Sequence, residues 1–290
     1  MHIGVTLAFD PRTPPSVVLD AARMAEERGF HSLWVPEHVL FFRDYDSRYP
    51  YAEDGRIPGD PEGVLDPFST LTFVAAQTSR VRLGTGICIV PQRHPVYTAK
   101  QVADLDHLSG GRVDFGIGVG WLEEEFDALG IPFRDRGART DECLEAMKAL
   151  WTQDAATHQG ERFRFEGALL NPKPVQRPHP PILVGGESRA AFRRVARYGQ
   201  GWYGFELTPE RLMEGLAGLD AALAEAGRCR SDVQVFASPA GRGRVDPDTL
   251  AAFRDAGVDQ AIVPAVGRDA DGFRKRMDRL AEVAQQLGRA

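Results

Sequence analysis

Residues 113–121 read Val113-Asp114-Phe115-Gly116-Ile117-Gly118-Val119-Gly120-Trp121, an apolar strand-like run whose exit is stripped to glycine. Glycine inside a strand is costly unless the backbone must bulge or let another group come close. The same signature occurs upstream in Val81-Arg82-Leu83-Gly84-Thr85-Gly86-Ile87-Cys88-Ile89-Val90-Pro91, and downstream in Ile182-Leu183-Val184-Gly185-Gly186-Glu187-Ser188. Bare N–H groups where a strand gives way to a helix form an anion cradle. The plainer reading is that these glycines relieve crowding inside a barrel. None of the runs is the dinucleotide fingerprint, because no Gly-x-Gly-x-x-Gly follows the first strand.

Around these runs, short β-branched stretches alternate with helical patterns. Strands are expected at 3–7, 32–36, 81–87, 113–118, 182–184, 201–203, 233–237 and 259–263. Helices are expected at 15–29, 67–78, 95–108, 136–152, 188–199, 209–227, 247–256 and 270–287. Eight strands each followed by a helix is the count of a single (β/α)8 TIM barrel, an α/β fold. Gly29 and Gly227 stand at helix ends, and Pro95 and Pro247 at helix starts, as capping preferences require.

Two insertions exceed the minimal barrel. Residues 40–66, after strand 2, are polar, aromatic and rich in Pro and Gly, and are expected to form a lid. Residues 155–181, before strand 5, read as a hairpin and a stiff arm through Asn171-Pro172-Lys173-Pro174. Both are expected on the C-terminal face of the barrel.

The chain has 290 residues, with 35 basic and 41 acidic side chains and net charge −6. This argues against a nucleic-acid or anionic-membrane binder, which needs a cationic face. The three cysteines, Cys88, Cys143 and Cys229, form neither a disulfide framework nor a zinc spacing. No apolar run approaches the roughly 20 residues that span a bilayer, and the opening run lacks the regions of a signal peptide. A cytoplasmic location is therefore expected.

Strand 2 ends Leu33-Trp34-Val35-Pro36-Glu37-His38. A histidine at a barrel strand's C-terminal end is placed for proton transfer or hydrogen bonding, against the alternative of a histidine stacked in a half-buried rim. Glu37 suits a salt bridge better than a base, and His94 a structural role. His2, His31, His107, His158 and His179 lack metal-ligand spacing, so no metal is expected. There is no nucleophile elbow and no lysine at a strand end. Arg189, Arg193, Arg194 and Arg197 form a row that reads as a solvated helix face or, alternatively, as a grip on an anionic tail.

The stretches Gly29 to His38, Arg82-Leu83-Gly84-Thr85-Gly86, Leu105 to Arg112, Gly116 to Trp121 and Gly185-Gly186-Glu187-Ser188 occur in the order found in the bacterial luciferase-like monooxygenase superfamily, which the whole chain resembles. The arm 171–176 and Gly199-Gln200-Gly201-Trp202 resemble its probable F420-dependent oxidoreductase branch. The resemblance implies a barrel holding the deazaflavin coenzyme F420, or alternatively FMN, across its C-terminal mouth. It implies a non-prolyl cis peptide at Gly86–Ile87 behind the ring, with phosphate on the amides of Val119, Gly120, Gly185 and Gly186 and on Ser188. Leu7, His38, Thr85, Gly86, Ile87, Gly118, Val119, Gly120, Gly185, Gly186, Glu187 and Ser188 are thus the expected cofactor residues, and His38 the catalytic one. Phe9, Phe41, Phe42, Tyr45 and Trp121 are expected to shape the substrate pocket.

The expected reaction is hydride transfer between F420 and a small ketone, enone, imine or alcohol. An FMN-dependent monooxygenase using dioxygen, served by a separate reductase, is the alternative, and a non-catalytic flavin- or deazaflavin-binding protein is the alternative of another class. Sugar-phosphate-oxidising relatives carry a glutamate where this chain has Trp121, which argues against that substrate. A homodimer is expected from the family.

Overall fold

The computed structural model describes residues 1–58, 62–241, 245, 247–267 and 269–287; residues 59–61 of the 40–66 insertion thus lie outside the described residues. Along the chain come β1 (His2–Thr6), α1 (Pro15–Glu27), β2 (Ser32–Val35), α2 (Pro67–Ala75), β3 (Arg82–Thr85), β4 (Cys88–Ile89), α3 (Pro95–Ser109) and β5 (Val113–Gly118). Then follow α4 (Glu123–Ala128), α5 (Arg136–Thr152), β6 (Ala156–Gln159), β7 (Arg164–Ala168), β8 (Ile182–Gly185), α6 (Arg189–Tyr198) and β9 (Gly201–Leu207). The chain closes with α7 (Pro209–Glu225), β10 (Gln234–Pro239), α8 (Pro247–Asp255), β11 (Gln260–Pro264) and α9 (Ala270–Leu287).

Parallel pairing runs β3-β2-β1-β11-β10-β9-β8-β5, and a β3–β5 pairing closes the ring. The fold is a (β/α)8 TIM barrel. Strand 3 is interrupted where a single strand over 81–87 is expected. The chain breaks at the cis Gly86–Ile87 peptide and resumes as β4, which pairs with the end of β5 through Cys88↔Ile117 and Ile89↔Gly118. Helix α4 is an addition to the expected set, short enough at 6 residues to be read as part of a loop.

Strand alternation sorts the side chains. Val5, Leu33, Val35, Leu83, Phe115, Ile117, Val184 and Val263 face the helices in the main core. Trp34, Leu183, Tyr203, Phe236 and Ile262 form a second cluster, with Ile87 and Phe205 packed against it. Trp34 fills the barrel, its ring 5.4 Å from Tyr203 and 5.7 Å from Phe236, with Nε1–H donating to Ser32 Oγ at 2.7 Å. A Cβ on Gly84 would overlap the Trp34 indole, and one on Gly116 would overlap the Thr85 carbonyl. At these two positions the crowding reading of the glycines holds.

The second insertion corrects one expectation. Strands β6 and β7 form the expected antiparallel hairpin, but the segment leaves a helix and enters a strand, so it begins and ends at the barrel's N-terminal face. Only the hairpin tip climbs the outer wall, where the Phe163 ring stands 5.3 Å from His94 and Arg162 pairs with Asp135 at 3.2 Å. The arm after it runs beneath the barrel: Gln176 Nε2 donates to Val113 O at 2.7 Å, and its backbone N–H to Asp106 Oδ2 at 2.9 Å.

Candidate active site

All three glycine-rich exits emerge at the C-terminal mouth. There Ile87 lies over Gly118, and a Cβ on residue 118 would overlap its side chain. Gly120 sits at φ +80° and Gly186 at φ +105°, a region open to glycine. A Cβ on Gly120 would stand 2.8 Å from the Phe126 ring and 2.9 Å from Ile89. The rim is therefore lined by glycine backbone at Gly120 and at Gly185–Gly186, with Ile87 over Gly118 and the Gly186 N–H donating to Tyr203 O at 3.4 Å. Helix α6 starts beside the second stretch, with Ser188 as N-cap; its Oγ accepts from Ala191 N at 3.2 Å and keeps a proton to donate. First-turn amides next to uncovered strand ends suit a phosphate. The Glu187 side chain, also expected at the cofactor, turns aside and accepts from Phe205 N at 3.0 Å. Burial raises its pKa, although the Phe205 N–H and nearby Arg211 oppose this.

His38 stands at the exit of β2 with its side chain 12% exposed. Its Nδ1 lies 3.1 Å from Glu125 Oε2, on a carboxylate that is fully buried. Glu125 Oε2 also accepts from Gln92 Nε2 at 2.8 Å, while Oε1 accepts from the backbone N–H of Val39 at 2.5 Å and of Leu40 at 3.1 Å. Burial pushes the Glu125 pKa up, but the hydrogen bonds from His38, Gln92 and Leu40 outweigh it and the net shift is downward. Nδ1 of His38 faces the Glu125 carboxylate, and Nε2 lies on the opposite edge of the ring.

Aromatic rings flank His38. Phe41 is 4.6 Å away and Trp121 5.8 Å. Trp121 in turn meets Tyr45 at 5.8 Å and Tyr49 at 5.2 Å, and Tyr51 meets Phe205 at 4.9 Å. These contacts bring the expected lid onto the mouth. Helix α4 fastens it: Glu124 Oε1 accepts from Asp46 N at 2.6 Å and Ser47 N at 3.1 Å, and the Ser47 hydroxyl accepts from Glu123 N at 2.9 Å. Phe42 is half-buried in the same segment.

Three expected residues lie elsewhere. Leu7 and Phe9 are 0% and 1% exposed in the strand–helix layer, Phe9 against Phe273 at 5.6 Å, because alternation from β1 turns them outward. Thr85 is buried, its hydroxyl donating to Gly116 O at 2.6 Å across the strands. Glu37 is the salt-bridge residue that its surroundings favour. It pairs with Arg93, whose Nε donates at 2.7 Å, and it accepts from Ile89 N at 2.5 Å. The arginine row is spent on carboxylates of α5 and α7: Arg189 and Arg193 on Glu225, Arg194 on Asp141 and Arg197 on Glu145. Glu125, Gln92 and Phe205 were not anticipated. The run Glu123-Glu124-Glu125 reads as acid at a helix start, and only the tertiary fold shows what it holds.

A separate cavity of about 600 Å3 opens at the opposite, N-terminal end, lined in part by Gln176, His179, Gln200, Arg230 and Asp259. None of the glycine exits reaches it. Among the described residues, no group of three or more His, Cys, Asp or Glu could hold a metal, and no helix is long and apolar enough to cross a membrane.

Backbone at Gly120 and Gly185, the Ser188 hydroxyl, edge-to-face aromatic rings around Trp121 and an imidazole beside them would suit a phosphorylated tricyclic redox cofactor. An uncharacterized protein of Mycobacterium tuberculosis is 35% identical over 292 residues, covering 97% of this chain and 98% of that one. The F420-dependent glucose-6-phosphate dehydrogenase of Kineococcus radiotolerans is 30% identical over 76% of this chain and 63% of its own length. The FMNH2-dependent dimethylsulfone monooxygenase of Pseudomonas putida is 43% identical over 38% of this chain and 31% of its own length. Among solved structures, the monooxygenase RslO1 of Streptomyces bottropensis superposes with a TM-score of 0.76 at 25% identity, covering 99% of both chains. Residues 1–241 match the model of one family, and the chain belongs to it: the luciferase-like monooxygenases.

Proposed function

We propose that the protein is an oxidoreductase that transfers hydride between coenzyme F420 and a small, largely apolar organic substrate such as a ketone, enone, imine or alcohol. The observation that carries this reading is the His38–Glu125 pair at 3.1 Å, set at the edge of a mouth ringed by bare backbone. The bound deazaflavin would supply the hydride-accepting or hydride-donating carbon. The amides at 118–120 and 185–186, with Ser188, would hold its phosphate. Trp121 and the rings of the lid would exclude water and receive an apolar substrate. His38 would hold or receive the substrate proton on Nε2, since Nδ1 is committed to Glu125.

F420 is favoured because the F420-dependent relative aligns with twice as much of this chain as the FMNH2-dependent one, 76% against 38%. The higher identity of the shorter match supports a second reading, an FMN-dependent monooxygenase. Each cofactor is titrated into the protein while tryptophan fluorescence is followed, and hydride exchange is then assayed with the reduced form. Micromolar binding of F420 with turnover of a carbonyl or alcohol supports the proposal. FMN binding with dioxygen consumption selects the second reading, and tight binding without turnover across the substrate panel selects a carrier.

A further inference from the structure

Glu125 has a role that the reaction alone does not require. Its two oxygens serve two parts of the site: Oε2 holds the His38 ring and Gln92, and Oε1 holds the amides of Val39 and Leu40, where the chain enters the lid. We propose that Glu125 is the positioning residue for His38, fixing the Nδ1–H tautomer so that Nε2 is the bare nitrogen, and that the same carboxylate makes this alignment depend on the lid being seated. The role assigned to Nε2 rests on the proposed hydride-transfer reaction; the tautomer and its link to the lid do not.

The chemistry of the four donors forces the assignment. A buried carboxylate can only accept, and the Gln92 amide and two backbone N–H groups already point at it, so the fourth neighbour must donate as well. Neutral imidazole carries one N–H, and placing it on Nδ1 strips Nε2. Lifting the lid would withdraw the Val39 and Leu40 amides. It would also pull on residue 38, their immediate neighbour in the chain, so a seated lid and an aligned ring form one arrangement.

Substituting Glu125→Gln tests this without emptying the site. The new amide oxygen can keep the lid amides only by turning its NH2 toward His38 and Gln92. Gln92 can accommodate this by flipping, because its Oε1 is buried without a partner. His38 must then accept at Nδ1 and move its proton to Nε2. The ring nitrogens are observed directly by long-range 1H–15N correlation of histidine-labelled protein, with His38→Gln assigning the signal. The expected result is an Nδ1–H tautomer in the wild-type protein, an Nε2–H tautomer in Glu125→Gln, and no change in Glu124→Gln, whose amide oxygen can still accept from Asp46 and Ser47 and keep the lid seated. An Nε2–H tautomer or a ring protonated on both nitrogens in the wild type, or an unchanged tautomer in Glu125→Gln, overturns the proposal, and the wild-type spectrum decides even if the variant fails to fold. In turnover, Glu125→Gln is expected to lower kcat by about tenfold or more while changing cofactor affinity less than about threefold. If no cofactor supports turnover, the hydride-transfer reading falls while the spectra still decide the role of Glu125.

Discussion

Ile87 lies across Gly118, filling the volume that a Cβ at residue 118 would need, and its Cδ1 is 3.4 Å from where a Cβ on Gly185 would stand. One isoleucine on the interrupted third strand thus packs on two of the three glycine exits. The bare rim and the Ile87 side chain are two halves of one surface.

Gly118→Ala should therefore push Ile87 into the mouth. The expected cost is about 1–3 kcal/mol of stability, typical of overpacking, together with at least about a tenfold loss of cofactor affinity. Thermal unfolding and the fluorescence titration measure the two effects. Adding Ile87→Ala should recover much of the stability loss, since the methyl would then meet space. Purely additive effects in the double variant would show that the two residues do not share a surface.

Gly84 offers the contrast. Its missing Cβ faces the Trp34 indole inside the barrel, below the rim. Gly84→Ala should cost about 1–3 kcal/mol by the same overpacking while leaving the affinity of the folded fraction within about threefold. A large loss of binding with unchanged unfolding temperature would move Gly84 from the packing of the barrel to its site.

This contrast shows where sequence reading stops. The strands, the helices flanking them and the hairpin follow from local period and capping, and they agree with the fold to within a few residues at most ends. Glycine is different, because its role depends on what stands opposite. Nothing in Arg82-Leu83-Gly84-Thr85-Gly86 says that Trp34 fills one side of it. Leu7 and Phe9 were misplaced for a related reason: at the end of a strand, the alternation decides whether a side chain meets the mouth or the helices. Glu125 lay furthest from view, since it meets His38 across 87 residues of sequence and the acidic run around it is ordinary for a helix start.

Glu26 predicts an acid dependence. Its carboxylate accepts from the backbone N–H groups of Ser79 at 2.9 Å, Arg80 at 2.6 Å and Val81 at 2.9 Å, pinning the turn into β3. Burial works to raise its pKa, but the three amides overcome this and bring it to about 2 from the ordinary 4.5. A depressed folded-state pKa contributes stability that is present above about pH 4.5 and is lost as the pH falls toward 2. After discounting for solvent screening, that contribution is about 1–2 kcal/mol. Glu26→Gln should be destabilised by this amount at pH 7, and the gap to wild type should narrow between pH 4.5 and pH 2 in chemical denaturation. A gap that stays constant over this range would assign the loss to shape instead of charge.

His38 carries the sharpest prediction, because binding and chemistry part there. In the proposed reaction the rim would hold cofactor through backbone amides and the lid would receive substrate on its rings, whereas His38 turns Nδ1 to Glu125 and Nε2 away from it. His38→Asn keeps a donor for Glu125 and removes Nε2. It should retain cofactor affinity within about tenfold and lower kcat by about 10²–10⁴, the usual worth of a positioned acid or base. His38→Ala should lose turnover to at least the same degree. It should also loosen the lid, because Glu125 is left with one donor fewer, and limited proteolysis between residues 40 and 58 would detect that. Turnover unchanged in both variants would leave the histidine as packing between Phe41 and Trp121, and the proton would have to move by another route.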